Sequence, residues 1–197
     1  MPGHLLEYVQ TWRHHHPSWE MALWTEQNLP MLRNDHYFRH ADRYAPGSEG
    51  QLKADLARYE ILHTLGGVWV DADFECLKPI DRLLEGVELF AAWEEQGVWV
   101  NNAILGSVPQ HPLLNDMIML APRAIEDNQG QRPNAMTGPQ LLTKVYKAQY
   151  RETPGVSIFP QRQFYPYSYR ELDRADEDFP WAHAVHHWHN ARKRASS

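Results

Sequence analysis

Residues 48–81 read SEGQLKADLARYEILHTLGGVWVDADFECLKPID, and the fold turns on how this stretch divides. Ser48 with Gln51 three positions on forms a capping-box pattern, so a helix is expected to start there. Leu52, Leu56, Tyr59 and Leu62 make one apolar stripe, and Ala54, Ala57, Ile61 and Leu65 cover most of the remaining surface. A helix apolar on nearly all sides is a buried one. Gly66 supplies a left-handed stop, and Gly67 lets the chain turn tightly. Val68-Trp69-Val70 then reads as a short buried strand ending in Asp71-Ala72-Asp73. Two carboxylates are thereby delivered to the carboxyl end of a strand, the edge at which open α/β sheets bind ligands.

The Asp-x-Asp spacing needs that context. Eleven Asp in 197 residues give about 0.6 such triplets by chance. Asp176-Glu177-Asp178 is a second triplet, in a polar, turn-rich segment with no strand before it, and reads as a solvated acidic run. The first triplet differs because helix, Gly-Gly turn and apolar strand all aim it at one place.

A chain of 197 residues, 43% hydrophobic and 22% charged, fits one soluble globular domain over residues 1–197. A net charge of −6 with no basic stripe argues against a nucleic-acid partner, and Arg192-Lys193-Arg194 reads as a solvated terminus. Cys76 is the single cysteine, which excludes an internal disulfide and fits a reducing compartment. A cytoplasmic location is expected, with peripheral contact at a membrane left open. No apolar run approaches the ~20 residues that a spanning helix needs, and the first residues do not read as a secretory signal.

Outside the central stretch, His4 to about His15 has helical apolar spacing, with His14-His15-His16 as a solvated helix end before Pro17. Trp19 to Trp24 alternates as a strand, and Thr25 caps a short helix. Val87–Trp93 and Trp99–Leu105 are strands joined around Gln96-Gly97, with Glu94-Glu95 following the first of them. Pro112 opens a helix to about Leu120, and 128–134 is a polar loop. Thr137 to Gln140 forms a second capping box for a helix over 141–150. Val156–Phe159 is an edge strand, Phe164–Tyr167 an aromatic loop, and Ala184–Trp188 a closing strand.

Asp55-Leu56-Ala57-Arg58-Tyr59, the run Leu65 to Asp73, and Leu77-Lys78-Pro79-Ile80-Asp81, in this order, resemble the DXD sugar-binding region of glycosyltransferase family 32. That family includes yeast-type initiating mannosyltransferases and bacterial capsule enzymes and, more distantly, the clostridial glucosylating toxins. Trp12-Arg13-His14-His15-His16-Pro17, Leu23-Trp24, Asn102-Ala103-Ile104, Thr137-Gly138-Pro139 and His186-His187-Trp188 extend the resemblance. It implies an α/β fold of the GT-A type, a Rossmann-like mixed sheet flanked by helices. It further implies transfer of a hexosyl group from a UDP- or GDP-sugar to a hydroxyl of a glycan, lipid or protein, as in polysaccharide biosynthesis. The reaction would use Mn²⁺ or Mg²⁺ and retain anomeric configuration.

Two departures stand out. The family opens with an Ile-Pro-Lys-Ile-Ile-His-like strand that helps hold the nucleotide base, whereas this chain begins Met1-Pro2-Gly3-His4. The first strand is therefore expected to be absent and the domain truncated at its N-terminus relative to the family. The family's closing Ser-Trp is replaced by His189-Asn190-Ala191-Arg192.

The resemblance assigns roles. Asp73 is the direct metal ligand, and Asp71 meets the ribose, a metal-bound water or the metal itself. With Asn102 they form the catalytic set. Asp55, Arg58, Trp69, Asn101, Thr137 and Gly138 face the donor sugar, and His186 or His187 completes the metal shell. From the residues alone, Asp55 and Arg58 share a helix face and read equally as an internal ion pair. Asn101 and Asn102 read equally as amides bracing a turn. The chemistry suits the residues: a departing diphosphate carries negative charge, and carboxylates supply the hard oxygen ligands of a cation that stabilises it. A relative that binds nucleotide-sugar or glycan without turnover, and a metal-dependent phosphohydrolase, are the alternative classes.

Overall fold

The helix Glu49–Leu65 is as buried as its composition demands, with Leu52 and every residue from Asp55 to Leu62 shielded from solvent. This is seen in a computed structural model that describes residues 3–189. Met1-Pro2 at the start, Asn190 to Arg192 of the altered closing segment, and the basic tail lie outside the described residues. Ser48 precedes the helix but makes no side-chain cap; Glu49 instead accepts the Gly47 N–H at 2.7 Å.

Gly66 ends the helix at φ 69° and ψ −160°, a region open essentially to glycine alone. A Cβ there would meet Pro109 Cδ at 2.7 Å and the Ser107 carbonyl at 2.9 Å. Gly66→Ala is therefore expected to cost about 2–3 kcal/mol, read as a lower urea midpoint at unchanged slope. A midpoint equal to wild type would mean the turn relaxes without strain.

The main sheet is mixed. With β1 at Gly67–Val70, β3 at Leu89–Glu95, β4 at Trp99–Ser107 and β5 at Val156–Phe159, the order is β1-β4-β3-β5. β4 runs antiparallel to both its neighbours, and β5 lies parallel to β3 on the far edge, as expected for an edge strand. Phe74–Cys76 (β2) and Ala184–His186 (β6) form a separate antiparallel pair. One sheet face packs Leu89, Ala91 and Leu105 against Tyr59 and Leu62 of the central helix and against Leu113, Leu114 and Met117 of the helix Pro112–Asp127. The other face packs Phe90, Ala92 and Ile104 against Phe74, Tyr165, Ala184 and Trp12. Helices on one face, and the β2–β6 pair with Trp12 and Tyr165 on the other, thus enclose the sheet, the mixed α/β arrangement anticipated from sequence. No helix among the described residues is long and apolar enough to cross a membrane.

Several elements differ from the sequence reading. β1 is a half-buried edge strand that pairs antiparallel with β4, not the buried strand expected. Trp19 to Trp24 forms no strand: Leu23 is exposed, and Asn28 closes the loop by donating to the Leu23 carbonyl at 2.9 Å. His16 is buried rather than solvated. Its Nε2 accepts the Ile80 N–H at 2.9 Å, which leaves Nδ1 to donate to the Trp12 carbonyl at 3.2 Å. The helix from Pro112 runs to Asp127 through Pro122, seven residues past its expected end. Thr137 does not cap the helix Pro139–Val145, which widens into a π-turn over Tyr146–Tyr150.

Candidate functional site

β1 ends at Val70, one residue before the first carboxylate. The Asp71 N–H donates to the Ala103 carbonyl at 2.8 Å, and the Phe74 N–H donates back to the Asp71 carbonyl at 3.0 Å. The chain turns directly after β1, and Asp71 and Asp73 stay on the same side, as their spacing of two also favours. Each offers a carboxylate oxygen and His186 a ring nitrogen, all within 4.8 Å of one another.

Asp73 is the most constrained of the three. Its Oδ1 lies 3.1 Å from His186 Nε2, and its Oδ2 accepts the His189 N–H at 2.9 Å. Burial opposes ionisation of Asp73, but the facing imidazole and the backbone amide outweigh it and hold the carboxyl well below its usual range. Burial likewise opposes the His186 imidazolium, and Asp73, followed by Asp71 and Glu94, more than offsets it, so that pKa rises. His186 Nδ1 is buried with no hydrogen-bond partner among the described residues. Two carboxylates and an imidazole are the oxygen and nitrogen donors that a borderline divalent ion such as Mn²⁺ accepts, and the three side chains fit one.

His187 does not join them. It follows the end of β6 and turns the other way, where Nε2 meets Glu75 Oε2 at 2.9 Å and the ring stacks on Tyr8 at 4.4 Å. Of the two histidines expected in a metal shell, only His186 is placed for it.

Arg58 links this group to the central helix. Its Nη2 lies 3.1 Å from Asp71 Oδ1 and 3.5 Å from Asp55 Oδ1, and its Nη1 donates to the Asn102 carbonyl. The guanidinium sits over the Trp69 ring, and Trp69 Nε1 donates to Asp71 Oδ1 at 2.8 Å. Trp69 and Asp71 therefore act as neighbours two apart on one strand face, with the indole orienting the carboxylate. Asp55 is only 6% exposed and Arg58 3%. Asp55 accepts from Asn102 Nδ2 at 2.8 Å and from Thr137 Oγ1 at 2.9 Å. Burial pushes the Asp55 carboxyl up to about 6, against the pull of Arg58 and those two donors. The ion-pair reading of Asp55 and Arg58 is thus realised in the fold.

Asn102 also donates to Tyr59 Oη at 2.8 Å, and Tyr59 donates to the Thr137 carbonyl at 2.7 Å. Thr137 is consequently a partner of Asp55 instead of a helix cap. Gly138 brings the loop close, since a Cβ there would stand 3.3 Å from Asp55 Oδ2. Asn101 faces the opposite way: its Oδ1 accepts the Ala103 N–H at 2.7 Å and its Nδ2 donates to Glu94 Oε2 at 2.6 Å. Sequence reasoning missed Glu94 and Tyr165. Tyr165 stands edge-on to His186 at 5.7 Å. The one sequence signal was a pair of acidic residues closing an apolar strand opposite an Asn-Asn pair.

Residues 2–89, nearly half of the chain, match the family described as glycosyltransferase sugar-binding region containing DXD motif. Inositol phosphoceramide mannosyltransferase 1 of Schizosaccharomyces pombe is 31% identical over 113 residues, 56% of this chain and 35% of that protein. Human alpha-1,4-N-acetylglucosaminyltransferase is 26% identical over 159 residues, 71% of this chain and 43% of that one. The chain spans between 29% and 39% of the length of the first curated relatives it matches. Among solved structures, PaToxG Glycosyltransferase aligns at a TM-score of 0.49 and 15% identity, over 64% of this chain and 43% of that one.

Proposed function

We propose that this chain is a metal-dependent glycosyltransferase of GT-A type, a reading supported by the match of residues 2–89 to the glycosyltransferase sugar-binding region containing DXD motif. It moves a hexosyl group from a UDP- or GDP-sugar to a hydroxyl acceptor, keeping anomeric configuration as the resemblance implies. The observation that carries this reading is the meeting of Asp71, Asp73 and His186 within 4.8 Å of one another, one guanidinium away from a buried carboxylate.

Asp71, Asp73 and His186 would hold Mn²⁺ or Mg²⁺. A divalent cation there supplies Lewis-acid stabilisation of the leaving diphosphate. Arg58 and Trp69 keep the Asp71 carboxylate aimed at the site through two hydrogen-bonding contacts. Asp55, with Thr137 and Gly138 against it, forms the floor on which donor-sugar hydroxyls rest. Asn102 commits its amide to Asp55 and Tyr59, so it positions that floor instead of touching substrate. Asn101, bound to Glu94, stands off the donor floor altogether.

The test is thermal denaturation against a panel of UDP- and GDP-sugars with and without Mn²⁺. A ligand at a hundredfold excess over its Kd is expected to raise Tm by about 5–10 °C. The shift should need sugar nucleotide and metal together. An equal shift without Mn²⁺, or none with any donor, overturns the reading. Free sugar released at the same rate with and without acceptor would mark a hydrolase, and binding without turnover in any acceptor mixture a non-catalytic relative.

A further inference from the structure

Glu94 is a half-buried carboxylate that the donor site leaves unused. β3 and β4 fall out of register between Trp93 and Glu95, so Glu94 occupies an irregular position in the ladder. Such bulges re-aim a side chain, and they concentrate beside active sites. The side chain is not left to drift. The Ala103 N–H fixes the Asn101 carboxamide through its oxygen at 2.7 Å, which leaves Nδ2 to hold Glu94 Oε2 at 2.6 Å. Adjacent asparagines in β4 thus brace two different carboxylates, Asn102 bonding Asp55 and Asn101 bonding Glu94.

Glu94 follows Phe90 and Ala92, which pack on the sheet face that carries Tyr165 and Ala184. His186 and Arg170 both draw its proton affinity down while burial, the larger effect, raises it, so the carboxylate lies within electrostatic reach of the metal-ligating group. Tyr165 is within the same reach of Glu94 and Asp71. That tyrosine also lines a cavity of about 380 Å³, together with Gln96, Pro160, Gln161, Arg162 and Pro166. This volume is at the lower end of small-ligand sites and suits one sugar ring. Gln96 and Gln161 lock the cavity wall, each side-chain oxygen accepting the other's backbone N–H at 3.3 Å. Their NH₂ groups, the Arg162 guanidinium and the flat faces of two prolines offer the mixture of polar donors and apolar surface on which a carbohydrate rests.

We propose that Glu94, bracketed by Asn101, accepts the hydrogen bond of the acceptor hydroxyl, and that the cavity walled by Gln96, Gln161, Arg162 and Tyr165 seats the sugar ring bearing that hydroxyl. The inference rests on the transferase reading of the neighbouring site and deepens it by placing the second substrate. The acceptor class is an uncharged polyol or glycoside ring. A hydroxyl bonded to an ionised carboxylate makes the stronger, charge-assisted kind of hydrogen bond, and its loss is expected to weaken binding about tenfold.

The test reads binding directly. Saturation-transfer NMR would use methyl α-D-mannopyranoside, methyl β-D-galactopyranoside and myo-inositol as probes on wild type, Glu94→Gln and Gln161→Trp. Glu94→Gln keeps an oxygen for Asn101, and Gln161→Trp fills the cavity. At least one probe should saturate on wild type and lose affinity about tenfold in both variants, with melting temperatures unchanged. Silence from all three probes on wild type, or equal saturation on Glu94→Gln, overturns the proposal. A parallel thermal shift with GDP-mannose or UDP-N-acetylglucosamine and Mn²⁺ separates the two readings. Loss of the donor shift in Glu94→Gln with probe binding intact would assign Glu94 to the donor side and overturn the acceptor role. Normal probe behaviour with no donor shift on wild type would sink the transferase reading and leave a carbohydrate-binding cavity.

Discussion

Asp73→Asn is expected to abolish Mn²⁺-dependent stabilisation by nucleotide-sugars, with metal affinity down at least about 100-fold. Loss of a partner that merely supports a ligand costs 10–100-fold, and removal of a charged ligand should exceed that. The substitution preserves shape, so the β2–β6 pair and the turn after β1 should survive. What it removes is the charge that His186 Nε2 faces at 3.1 Å and that the His189 N–H meets at 2.9 Å. Calorimetry with Mn²⁺ and a UDP- or GDP-sugar measures the effect. Asp176→Asn is the control, because Asp176 stands exposed in a turn and should behave as wild type. Equal Mn²⁺ affinity in Asp73→Asn and wild type would remove Asp73 from the ligand set.

The parts of this site that were legible in sequence are those that local pattern settles. The helix Glu49–Leu65 announces its burial because its apolar residues leave almost no polar face, and Gly66 marks its end by a backbone requirement that only glycine meets. The hairpin of β3 and β4 follows from two apolar runs around Gln96-Gly97. What stayed hidden depends on partners distant in the chain. That Asp71 and Asp73 meet His186 is decided by β6, which arrives from the far end of the sequence. Trp19 to Trp24 has the alternation of a strand but no neighbour to pair with, and alternation without a ladder gives a loop. β2 is three residues long and becomes a strand only because Ala184 to His186 returns beside it 110 residues later. Of the two adjacent histidines, alternation says that one faces the carboxylates, but not which one. Glu94 was passed over for a similar reason, since a bulge and an asparagine on the next strand give it a direction.

The largest loss of stability is expected from Arg58→Met, about 3–5 kcal/mol at pH 7. Methionine fills much of the same volume, so packing against Trp69 and the helix is largely kept. The cation is what disappears. Asp55 loses the countercharge 3.5 Å away while remaining buried, Asp71 loses the one at 3.1 Å, and the Asn102 carbonyl loses its Nη1 donor. A buried carboxylate without a countercharge is more costly than a pair, which is why removal of one partner exceeds the net worth of the bridge. The pH dependence separates this account from a simple packing defect. In wild type the Asp55 carboxyl already sits at about 6, above its unfolded value near 3.9, so its contribution is most favourable below about pH 4 and declines as pH rises through 6. Without Arg58 the folded pKa rises further. Asp55 is then protonated in both proteins at low pH, and the deficit of the variant should be smallest near pH 4 and grow as pH rises through 6. Urea titrations of both proteins between pH 4 and 7.5 measure it. A deficit independent of pH would assign the loss to packing and to the Asn102 hydrogen bond, and would remove the buried charge pair as its cause.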